Sequence, residues 1–110
     1  MNQLEEVEIQ IEVANKIRAM RDSFVKLQRN KLFKDIIETG YFKEEAARLV
    51  MAKSAPLTEP QQRVIDGMII GVGALANYFE MIMRRGAEMD TALGEHEQTR
   101  EEILAEGLHW

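Results

Sequence analysis

The sequence predicts an all-α fold: a bundle of four to five helices with a long N-terminal helix and a buried central helix, assembled from more than one copy. Three observations carry this. Apolar residues recur at spacings of three and four along most of the chain, and nowhere alternate over the length of a strand. Only 7 glycines and 2 prolines interrupt 110 residues, which leaves room for long helices. In two of the helices apolar positions occupy more than one side, more surface than a chain this short readily covers by itself.

The length fits a single helical domain, 1–110, with the first helix over residues 3–29 as an oligomerisation arm. Leu4, Val7, Ile11 and Ala14 follow heptad-like spacing. Ile9, Val13, Ile17, Met20, Phe24 and Leu27 form a second stripe on nearly the opposite side. Such a helix needs neighbours on both sides, and a second chain is the simplest source of one.

A second helix is expected over Lys31–Thr39, with Leu32, Phe33, Ile36 and Ile37 apolar and Gly40 as its stop. A third runs from Phe42 to Lys53, with Ala46, Leu49 and Val50 inward. Ser54 to Leu57 reads as a loop, because the residue before Pro56 is pushed away from helical angles.

The central helix is expected over Glu59–Arg85. Thr58 and Gln61 form a T-x-x-Q capping box, with Pro60 in the first turn. Val64, Ile65, Met68, Ile69, Val72, Leu75, Ala76, Phe79, Ile82 and Met83 make a broad apolar face, while Ile70 and Met81 lie on the other side. Gly67, Gly71 and Ala74 form a strip of small residues. A mid-helix glycine costs about 1 kcal/mol relative to alanine, and close approach of another helix would offset that cost. A fifth helix starts near Gly86, with Met89, Ala92, Leu93, His96, Ile103 and Leu104 on one stripe, and ends at Gly107. Leu108–His109–Trp110 is then an apolar tag expected to dock.

The net charge of -5 is laid out in blocks. Glu5, Glu6, Glu8 and Glu12 make the first stretch acidic. Lys16, Arg18, Arg21, Lys26, Arg29, Lys31 and Lys34, opposed by Asp22, make the next one basic. From Glu88 onward, seven acids face Arg100 alone. Blocks of this kind imply pairing, within the chain or between chains. The absence of cysteine excludes disulfides, thiolate catalysis and cysteine zinc sites. The polar start MNQLEEVEIQ is not a targeting segment. The longest uninterrupted apolar run, Met68 to Ala76, is short of the roughly 18 residues of a membrane span. These features point to a cytoplasmic protein without a membrane partner.

Chemistry is sparse. His96 between Glu95 and Glu97 has neighbours that diverge around a helix. Glu106-x-x-His109 has helical iron-site spacing but no second copy. Glu44–Glu45 and Glu101–Glu102 lack converging partners for Mg²⁺. No phosphate-binding loop occurs, and Ser23 and Ser54 have no evident base. No cofactor is expected.

The leading expectation is therefore a non-enzymatic assembly protein: a homo-oligomeric adaptor, inhibitor or assembly factor of the kind bacteria and phages encode, binding itself and another protein. Its contacts between copies are expected at Leu4, Val7, Ile11, Ile70 and Met81. The main alternative is a DNA-associated accessory protein using Arg18, Arg21, Lys26 and Arg29, which share one side of the first helix. Residues 36–48 weakly resemble a helix-turn-helix, although Glu44 and Glu45 would face phosphate. A small helical metal-dependent enzyme is the third class.

Overall fold

The computed structural model describes residues 2–107. These residues are helical almost throughout and contain no strand. Three continuous helical stretches replace the four or five helices expected. The first is α1, Gln3–Gln28. The second is unbroken but changes pitch, from α2 (Lys31–Phe33) through a π-helix (Lys34–Glu45) into α3 (Ala46–Ala52). The third is α4, Glu59–Gly107, 49 residues long.

The difference lies at two glycines. Gly40 and Gly86 were both expected to end or begin a helix, but neither takes a positive φ, and the helix runs through each. With no turn at Gly40, the resemblance of residues 36–48 to a helix-turn-helix disappears. The breaks fall instead where side chains cap backbone N–H groups. Asn30 Oδ1 accepts from the N–H groups of Leu32 at 2.8 Å and Phe33 at 3.2 Å. The box read at Thr58 is formed. Gln61 N–H donates to Thr58 Oγ1 at 3.3 Å, and Thr58 N–H donates to Gln61 Oε1 at 2.9 Å.

The π-helix has a geometric consequence. Phe33 and Phe42 are nine residues apart, which at about 100° per residue puts them on opposite sides of an α-helix. A wider turn of roughly 4.4 residues brings them back to one side. Both rings meet Phe79 edge-on, with centroids at 5.8 and 5.9 Å. Tyr41 packs beside Phe42 at 5.7 Å and Tyr78 beside Phe79 at 6.1 Å.

By its contacts the chain divides into two compact units. The first joins residues up to 24 with those from 81 onward; the second is residues 25–80. In the first, Ile11, Ala14 and Leu93 form the core, with Met89 packed against it. Val7, Phe24 and Ile82 are also buried there. In the second, the one buried residue is Leu49, 2% exposed. Ala46 is half-buried as its inward position implies, but Val50 is exposed.

Candidate interaction surfaces

Of the residues expected at contacts between copies, Leu4, Val7 and Ile11 lie in the first unit. Val7 and Ile11 are buried inside the chain itself, and Leu4 is half-buried. The partner for this stripe is α4, which continues past Gly86 and brings Met89 and Leu93 alongside α1. The opposite stripe stays uncovered: Ile9, Val13, Met20 and Leu27 are 44–55% exposed. Ile17 and Phe24, which lean toward α4 on the helix, are half-buried and buried.

In the second unit the expectation of a buried central helix is overturned. No residue of α4 between Glu59 and Glu80 is buried. Ile65, Ile69, Val72 and Phe79, which share one side, are half-buried. Val64, Met68 and Tyr78 are exposed, and Ile70 is 70% exposed. Met81, which opens the first unit's part of α4, is half-buried. The small-residue strip lies on the uncovered side. A Cβ on Gly67 or Gly73 would meet nothing within 4 Å, and one on Gly71 would meet only the Tyr41 hydroxyl at 3.8 Å. A third, polar edge carries Asp66, Asn77 and Glu80; Asp66 is bound by Lys53 Nζ at 2.6 Å.

The membrane expectation also changes. The longest uninterrupted apolar run is short, but α4 contains an 18-residue window of mean hydropathy 1.3 with no more than two charged residues. By length and composition alone this helix is able to cross a membrane, and none of that window is buried inside the structure.

The expected nucleic-acid stripe is divided. Arg18 Nε donates to Asp90 Oδ1 at 2.7 Å. Arg21 Nη1 and Nη2 donate to the two Asp90 oxygens at 2.6 and 3.0 Å, and its Nε donates to Asp22 at 2.9 Å. The two arginines hold the Asp90 carboxyl down at about 2, mainly through these hydrogen bonds. Asp90, more than Asp22, raises the Arg21 guanidinium above its already high ordinary value. Gly86 makes room for this clamp, since a Cβ there would overlap the aliphatic stem of Arg21. Two acids thus neutralise Arg18 and Arg21, while Lys26 and Arg29 are exposed.

Among the described residues, no group of three or more acids or histidines is placed to hold a metal ion. Glu6, Glu102 and Glu106 line an open groove with Val7 and Ile103. His109, the other half of the Glu106-x-x-His109 spacing, lies outside the described residues, as does the Leu108–Trp110 tag. The chain matches no protein-family profile, no curated protein and no solved structure.

Proposed function

We propose that the protein is a non-enzymatic, homo-oligomeric assembly or adaptor protein, whose most apolar stretch is completed by further copies of itself. One observation carries this reading: residues 64–81 of α4 hold Val64, Met68, Ile70 and Tyr78 in the open, on a chain that buries apolar residues elsewhere. Exposure of this extent marks a contact surface. Gly67 and Gly73 support it, because each weakens the helix by about 1 kcal/mol while none of the described residues comes close enough to use the space.

A second copy fits this helix better than lipid does. Asp66, Asn77 and Glu80 run along one edge, and an acid within hydrocarbon costs a few kcal/mol. Between protein helices such an edge keeps its ion pairs and its access to water, as Asp66 does with Lys53. The DNA-associated alternative loses support, since Arg18 and Arg21 are already engaged by Asp90.

Light scattering across a concentration series tests the proposal. The wild type is expected as an oligomer without detergent, and the Met68→Glu/Ile70→Glu variant as a folded species of lower mass. A wild type that stays monomeric, or that enters solution only with detergent and floats with phospholipid vesicles, overturns it.

A further inference from the structure

We infer that the uncovered face of α1 pairs with the same face of a second copy in antiparallel orientation. This deepens the reading of the protein as a homo-oligomer and rests on it. Asn2, Glu6, Ile9, Val13, Lys16, Met20, Ser23 and Leu27 follow alternating steps of four and three, the seam of a two-helix coiled coil. All eight are exposed, and the chain's own α4 occupies the other side of α1. From Ile9 to Leu27 the seam is a run of exposed apolar residues interrupted by Lys16 and Ser23, a composition suited to a protein partner and poorly suited to lipid.

Charge decides the orientation. Glu12 and Lys26 each precede a seam residue, Val13 and Leu27, and so flank the seam on the same edge. Both are exposed; Glu12 makes one contact along its own helix, to Lys16 at 3.5 Å, an exposed pair of little strength. In a parallel pair this edge would face the opposite edge of the second helix, Gln3, Gln10, Ile17 and Phe24, which carries no charge, so neither Glu12 nor Lys26 would meet an opposite charge. In the antiparallel pair Ile9 meets Leu27 of the second copy, Val13 meets Ser23 and Lys16 meets Met20. Glu12 then lies beside Lys26 of the second copy, and the two-fold axis repeats the contact. Glu12, in the acidic start of α1, and Lys26, near its basic end, thus become complementary between two copies.

Charge exchange tests this on the full chain. Glu12→Lys and Lys26→Glu, each alone, place like charges together twice per pair, and each is expected to raise the dissociation constant on the order of tenfold. Mixing the two variants restores opposite charges at both positions, and heterodimers are expected to dominate. The chain has no native cysteine, so the geometry has its own readout. Lys16→Cys mixed with Met20→Cys should cross-link, whereas Ile9→Cys alone should not. An oligomer that ignores both charge reversals, or that cross-links through Ile9→Cys alone, overturns the antiparallel pairing while leaving the homo-oligomer standing. A monomeric wild type overturns both.

Discussion

The two units use similar residues to different ends. In the unit of residues up to 24 and from 81 onward, two helices close over Val7, Ile11, Ala14 and Leu93, and a glycine is spent on a tight contact with Arg21. In the unit of residues 25–80, as many isoleucines and a richer supply of valine and aromatic side chains leave only Leu49 buried, and Gly67 and Gly73 face open space. Apolar content alone therefore does not locate the core. What locates it is whether a second helix face of matching length lies alongside.

The sharpest contrast is in core truncation. Leu93→Ala should destabilise by about 2–4 kcal/mol, because a buried leucine leaves a cavity. Ile70→Ala should change stability by no more than about 0.5 kcal/mol in dilute protein, where its side chain is in solvent. Urea unfolding below the assembly concentration measures both, and equal effects would erase the distinction between the units.

Glycine replacement gives a smaller effect with opposite signs. Gly86→Ala should lose about 1–2 kcal/mol through overlap with Arg21, despite the better helix propensity of alanine. Gly73→Ala, with nothing near it, should gain up to about 1 kcal/mol. Thermal melts of the two variants against wild type decide the signs.

The smallest effect concerns Asp90. Its folded value of about 2 lies below the ordinary 3.8, so the clamp's contribution is complete above 3.8 and fades as pH falls toward 2. Asp90→Asn should melt slightly below wild type at neutral pH, and the gap should narrow across that acid window. The clamp is partly exposed, with the Arg21 side chain 16% and the Asp90 side chain 44% accessible, so the change is small. A gap that is constant with pH would assign the loss to packing instead of charge.

Much of the helical outline was legible in the sequence: α1, the Pro56 loop and the Thr58 cap all follow from local chemistry. The two stripes of α1 were legible as well, but not which of them the chain would cover itself. That depended on α4 running through Gly86, and a glycine in sequence does not reveal whether it ends a helix or admits a neighbouring side chain. The Arg18–Arg21–Asp90 clamp was hidden for the same reason, since its members are about 70 positions apart. The wide helix was hidden because its signal is a spacing of nine between Phe33 and Phe42, which a search at the α-helical period reads as two separate faces.

That spacing also makes the length of residues 34–45 a constrained quantity. Losing one residue there would let the segment relax toward ordinary helix, yet every position beyond it would rotate about the axis, and Phe42 would swing away from Phe79. Insertions and deletions, which loops absorb, are thus excluded from an apparently unremarkable polar helix, and natural variation in its length should be rarer than variation in its exposed side chains.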